Sequence, residues 1–345
     1  MLLRKLLPVA LAVAAVIGVT VGLSAALQSA PAAPPPKADP LPAAAPRIVA
    51  VVNNRLVRLD PDGKNSTPIT PAGETVGHDA RPRLSPDGSR VAYRVRPPGA
   101  RANDPDDPSN LRLYVRRTDG TGSRTDLGRT AESYTWTPDG TALAVSTLTP
   151  PAAGRPEFGF EHAVVTVADA AAAPLRLPAD QLLTDRTRDG TLYLTQSVVS
   201  AAREPDEFLR LALWRPDGTR HARVNPPGEM LIDGRLSPDD RRVLCLKLEP
   251  LAKRVGAEPY RLVVADVATG QTTRVASVPD DVGIHGYCWS PDGRRVAYAR
   301  TRPARGGGSE SALVACDPDG GNPRTLATGT SPTAGAVTVA GVDWR

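Results

Sequence analysis

Four stretches of this chain overlay almost residue for residue: RLSPDGSRVAY at 83–93, TWTPDGTALAV at 135–145, RLSPDDRRVLC at 235–245 and CWSPDGRRVAY at 288–298. The second and third lie twice as far apart as the others, and a degenerate copy fills the gap, where Arg188-Asp189-Gly190 leads into TLYLT. Five anchors, at 86, 138, 188, 238 and 291, therefore recur every 50–53 residues. A fixed period of this length marks a stacked or radial architecture. Its centre is a turn with a mechanism. Pro sets φ, Asp folds its carboxylate back onto its own backbone, and Gly takes the conformation that other residues resist.

A second series interleaves with the first: LVRLDPDG at 56–63, LYVRRTDG at 113–120, VVTVADA at 164–170, LALWRPDG at 211–218, LVVADVATG at 262–270 and LVACDPDG at 313–320. Each unit then reads as strand a, PDG turn, strand b, variable loop, strand c, DG turn, strand d. One such four-stranded sheet cannot bury both its faces, and radial repetition solves that problem. The second series has six members and the first has five. Trp344 falls where Trp136 and Trp289 fall, just before a turn that is absent, while Arg47-Ile48-Val49-Ala50 begins at strand b. The expectation is an all-β, six-bladed β-propeller of four-stranded blades, in which the C-terminal strand completes the N-terminal blade. Abundant Pro (36) and Gly (30) with few aromatics (4%) suit such a chain and argue against a helical bundle.

The repeat resembles the PD40 (WD40-like) unit of the TolB propeller family, over residues 47–345. That resemblance implies the propeller fold. It implies little about function, since one fold hosts many activities. TolB proteins carry an α/β domain before the propeller, whereas residues 28–46 here (QSAPAAPPPKADPLPAAAP) read as a Pro/Ala-rich spacer. Before it, Arg4 and Lys5 precede an uncharged apolar stretch from Leu6 to Leu27, long enough for a membrane-spanning helix. Residues 1–27 are thus expected to be a signal peptide or a signal-anchor helix, with the body exported to the periplasm or held outside the cytoplasmic membrane.

The net charge of +5 invites a nucleic-acid reading. Basic and acidic residues are interspersed throughout, however, so no nucleic-acid partner is expected. PD40-like propellers also precede serine hydrolase domains, which need a G-x-S-x-G elbow, and no such motif occurs. No cofactor, metal or catalytic residue is assigned. The Asp60-Pro-Asp62-Gly63 and Asp317-Pro-Asp319-Gly320 segments lack the further oxygen ligands of a Ca²⁺ loop and read as turns. Cys245, Cys288 and Cys316 read as small core residues, with a Cys245–Cys288 disulfide left open.

Binding residues are expected in two places. His78, Asp79, Glu132, Asp233 and His285 fall where loops approach a central channel. The b–c loops, placed at 94–111, 148–162, 198–209, 248–260 and 300–311, carry mixed-charge clusters: Arg101, Asp104 and Asp106, then Arg155, Glu157 and Glu161, then Arg203 and Asp206. Function concentrates on loops held by a rigid scaffold. The sequence therefore points to a monomeric, non-catalytic scaffold that binds an envelope protein or polymer. The alternative is a small propeller hydrolase or lyase that uses polar channel residues.

Overall fold

Each repeat closes through the same set of hydrogen bonds. In the first, Gly88 N–H donates to the Ser85 carbonyl (2.8 Å), Ser85 Oγ donates to Asp87, and Asp87 accepts the Ser89 N–H at 3.1 Å. The pattern recurs at Thr137/Asp139/Gly140, Thr187/Asp189/Gly190 and Ser290/Asp292/Gly293, which makes the degenerate copy near 188 a full member of the series. The glycines have φ of 66–74°, the left-handed region. These carboxylates sit below the usual range because Ser, Thr and backbone donors stabilise the charged form.

The computed structural model describes residues 47–95, 111–150, 159–198, 209–226, 228–249, 260–279, 282–333 and 336–345. Residues 1–46, with the expected export segment and spacer, lie outside them. The described residues form six four-stranded antiparallel sheets. The innermost strands are Val339–Trp344 in blade 1, Arg83–Leu84 in blade 2, Ser133–Trp136 in blade 3, Gln181–Arg186 in blade 4, Met230–Leu236 in blade 5 and Gly283–Trp289 in blade 6. Each touches the inner strands of the blades before and after it, so the ring is closed. Blade 1 is composite. Its inner strand, from the end of the chain, pairs with Ile48–Val52 in the register Ile48↔Trp344 to Val52↔Val339.

The core is divided among the blade interfaces. Six apolar clusters are present, and each joins side chains from two adjacent blades. One unites Ile48, Ala50 and Trp344 of blade 1 with Ala297, Leu313 and Leu326 of blade 6. Another unites Leu113 and Leu127 of blade 2 with Tyr134, Trp136 and Leu143 of blade 3. Burying one such Leu or Val contributes about 1.5–3 kcal/mol, and a lone blade would expose all of them.

Polar contacts fix the spacing between blades. Trp136 Nε1 donates to the Arg83 carbonyl of the preceding blade, and Trp289 Nε1 donates to that of Arg235, both at 2.9 Å. The Arg90 and Arg242 guanidinium groups lie over these indoles, 5.5 and 4.7 Å from the ring centres. The same guanidinium groups bond to the Gly140 and Gly293 carbonyls in the next blade's turn. Trp136, Trp289 and Trp344 all pack in clusters between blades.

Two sequence expectations are corrected here. Residues 300–311 are not a long loop: Val296–Pro303 and Ser309–Cys316 pair along their whole length as a hairpin, from Val296↔Cys316 to Pro303↔Ser309. Likewise 148–162 contracts to 150–158, because Ala142–Thr149 and Gly159–Thr166 pair up to Thr149↔Gly159. Polar side chains at the ends of these strands hide the alternation that would have marked them. The Asp60 and Asp317 segments are turns, closed by Gly63 N–H to Asp60 and Gly320 N–H to Asp317, with Asn65 and Asn322 bonded to the Asp60 and Asp317 carboxylates.

Blade 5 departs from the turn consensus, with Asp240 in the glycine position at φ 58°. Burial, with Asp185 and Asp189 nearby, pushes its carboxyl up to about 6 despite hydrogen bonds from Arg188 N–H. An acid whose pKa rises on folding contributes stability below its unfolded value near 3.8, and that stability is lost as pH climbs through about 6. Asp240→Asn keeps an acceptor and tolerates the backbone. It is expected to stabilise the fold by about 1 kcal/mol at pH 8, after allowance for solvent screening, and by nothing measurable at pH 4. Urea denaturation at the two pH values measures the difference.

Candidate functional site at the channel mouth

All six inner strands run in the same direction through the ring. The PDG turns therefore lie on one face, and the segments entering the inner strands lie on the other, together with the b–c connections. In blade 6 the first four residues of the inner strand are half-buried and the last three are buried; blade 5 likewise closes over its last three. Blades 5 and 6 are thus more exposed at the b–c end, whereas in blade 4 the last two residues of the inner strand are half-buried.

The segment 77–82, which leads into blade 2, lies on the b–c face. Arg94, buried in strand Arg90–Val95, holds it from below. Its Nε and Nη2 donate to the Asp79 carbonyl (3.2 and 2.9 Å), and its Nη1 donates to the carbonyls of Ala131 and Glu132 (3.0 and 2.7 Å). Burial, and then the charge of Arg81, pull the Arg94 pKa down. From blade 3, the Tyr134 hydroxyl donates to the Ala80 and Arg81 carbonyls. Its own pKa is driven up by burial. Gly341 of blade 1 abuts the same segment, since a Cβ there would stand 2.6 Å from Pro82 Cδ.

Four of the five residues expected near the channel act electrostatically on Arg81 or on each other. His78 lies close enough to His285 that its charge adds to burial in lowering the His285 pKa. Glu132 and Asp233 both act on Arg81, a residue the sequence reading missed. Its side chain is solvent-exposed. Burial works against its charge, but Asp233 and then Glu132 hold its pKa above the ordinary value. Asp79 contributes its backbone carbonyl to the Arg94 network. The only sequence signal for Arg81 was its place just before a strand-a motif.

Several expectations are revised. Asp233 and His285 lie inside inner strands, not upstream of them. Bulges between Ile232 and Arg235 and between Ile284 and Tyr287 extend those strands past the register that the motif marks. Glu161 is an exposed residue of strand Gly159–Thr166, opposite Thr147, and not a loop residue. Arg101, Asp104, Asp106, Arg155, Glu157, Arg203 and Asp206 lie outside the described residues. The three cysteines are free and buried, so no Cys245–Cys288 bridge is formed. Among the described residues, no three His, Cys, Asp or Glu side chains gather at metal-binding spacing.

Ser146 and His162 have the chemistry of a nucleophile and base. Ser146 Oγ lies 2.9 Å from His162 Nδ1, and His162 Nε2 lies 3.1 Å from the Pro178 carbonyl. Ser146 Oγ also accepts Leu183 N–H at 3.2 Å. With one ring nitrogen facing a carbonyl, the neutral imidazole bears its proton on Nε2 and accepts from Ser146 at Nδ1. Ser146 is wholly buried and His162 is 4% exposed, and burial lowers the His162 pKa. The pair joins blades 3 and 4 and is closed to substrate. A fluorophosphonate probe is expected to leave the intact chain unmodified; mass-spectrometric detection of an adduct on Ser146 would overturn this assignment.

No protein-family model and no curated protein sequence matches the chain. Among solved structures, TolB from Acinetobacter baumannii is similar at TM-score 0.59 and 17% identity, over 86% of this chain and 66% of that one. The fold is a TolB-like six-bladed propeller. Structures of a putative TolB from Agrobacterium tumefaciens (TM-score 0.42, 14% identity, 87% of this chain and 86% of that one) and of the Pseudomonas aeruginosa periplasmic gluconolactonase PpgL (TM-score 0.46, 14% identity, 87% and 99%) also align. At these identities the likeness is one of fold. One fold hosts many activities, so the chain's own residues must decide its function.

Proposed function

We propose that the chain is a non-catalytic propeller scaffold that acts outside the cytoplasm and binds an envelope protein through its b–c face. The observation that carries this reading is the segregation of its connections. The long b–c segments 96–111, 150–158, 198–210 and 249–259 all start and finish on the face that bears the channel mouth, whereas the opposite face holds only short turns. Arg345 N–H bonds to the Arg47 carbonyl at 3.0 Å, so the chain enters the ring on the short-turn face. The apolar stretch from Leu6 to Leu27 behind Arg4 and Lys5 supports export. The sealed Ser146–His162 pair removes one candidate route to catalysis.

Surface loops tolerate shortening at little thermodynamic cost, so the reading can be tested without breaking the fold. Tight turns grafted in place of 96–110 and 199–208 are expected to leave the unfolding transition within a few degrees of native. The same graft is expected to abolish cross-linking of the full chain to its envelope partner. Partner capture that survives both grafts would contradict the proposal.

A further inference from the structure

Arg81 and Asp233 occupy the same place in two different blades. The carbonyl of each accepts a hydroxyl from the tyrosine of the following blade, Tyr134 or Tyr287. Each stands two residues before an arginine, Arg83 or Arg235, whose carbonyl accepts that blade's tryptophan Nε1. Both have left-handed backbone, with φ of 45° and 52°. Residues with side chains seldom take this conformation. In blade 1 the matching position, two residues before Asp343, is Gly341 at φ 44°. Blades 2 and 5 therefore keep charged residues where glycine meets the backbone requirement without strain. Strain retained at a site open to solvent is a pointer to function.

Their placement gives that pointer a chemistry. Blades 2 and 5 are three apart in a ring of six, so Arg81 and Asp233 lie on opposite sides of the ring, within electrostatic reach of one another. They form no direct ion pair. Asp233 Oδ1 bonds instead to Arg235 Nη2 at 3.1 Å, and the Asp233 side chain is still 32% exposed. The Arg81 guanidinium makes no hydrogen bond or ion pair among the described residues, although the charges of Asp233 and Glu132 both act on it. A bare anion is repelled by those two carboxylates. A bare cation is repelled by Arg81 and finds no set of ligands.

We propose that the channel mouth binds a small zwitterion of the α-amino acid type, its carboxylate held by Arg81 and its ammonium group facing Asp233 across the ring. The planar guanidinium fork matches a carboxylate with two parallel hydrogen bonds, which an ammonium side chain cannot reproduce. The Asp233 oxygen not used by Arg235 accepts from the ligand's ammonium. The half-buried His285 and exposed His78 stand beside the opening from blade 6 and from the blade 2 entry segment. The site uses none of the long connections, so its failure leaves the loop-face proposal standing, and the reverse also holds.

Calorimetric titration of the full chain with each free α-amino acid, and with its desamino acid, tests the assignment. At least one amino acid is expected to bind in a 1:1 ratio, with its desamino counterpart at least about tenfold weaker. Arg81→Asn, which suits the left-handed backbone and keeps the fold intact by circular dichroism, is expected to abolish binding. Asp233→Asn is expected to bring the amino acid down to the level of its desamino counterpart. No binding by any member of the panel, or native affinity in Arg81→Asn, overturns the proposal.

Discussion

The pairing of the last strand of the chain with the first is the contact on which the rest of the ring depends. Val339–Trp344 lies along Ile48–Val52 and supplies blade 1 with its only inner strand. It also joins its neighbours on both sides. Trp344 and Val342 pack against blade 6, Ala340 packs against blade 2, and Asp343 accepts Leu84 N–H at 2.6 Å while pairing with Arg83 at 3.8 Å. Without this strand the ring has two free ends, and the apolar faces of blades 1 and 6 lose what covers them. Joining residues so far apart in sequence carries a large loop-closure cost, which the interface clusters must offset together.

The closed ring allows functional groups to sit where a single sheet would not hold them. Tyr134 reaches from blade 3 to the carbonyls before blade 2, and Tyr287 does the same from blade 6 to blade 5. These bonds hold Arg81 and Asp233 where the backbone is left-handed. The same interlocking excludes substrate elsewhere. Ser146 and His162 have suitable atoms at suitable distances, but they are sealed in the seam between blades 3 and 4 and serve to hold it. Accessibility, more than residue type, separates a site from a structural contact in this fold.

The fold was legible because the turn chemistry is local. The Ser/Thr-x-Asp turn carries its own hydrogen bonds, so five related copies announce five turns, and the count of strand c segments reveals the split blade. The departures were harder to read. Strands 296–303 and 309–316 end in polar and charged residues, such as Arg302 paired with Glu310, that look like loop sequence until they face one another. The bulges that draw Asp233 and His285 into the inner strands leave no mark in the motif. His78, Glu132, Asp233 and His285 could be singled out because each lies five to eight residues before the anchor of a recognisable turn. Arg81 has the same spacing, but an arginine before a strand is ordinary in so basic a chain, and its isolation appears only when the opposite blade is in view.

The central claim is that one terminal strand holds the entire ring closed. Hydrogen exchange read by mass spectrometry, on the chain with and without residues 339–345, tests it most directly. The account predicts that the truncated chain loses protection in blade 1 and also in the inner strands of blades 2 and 6, and that it no longer unfolds in a single transition. Protection lost in blade 1 alone, with the other five blades unchanged, would contradict it.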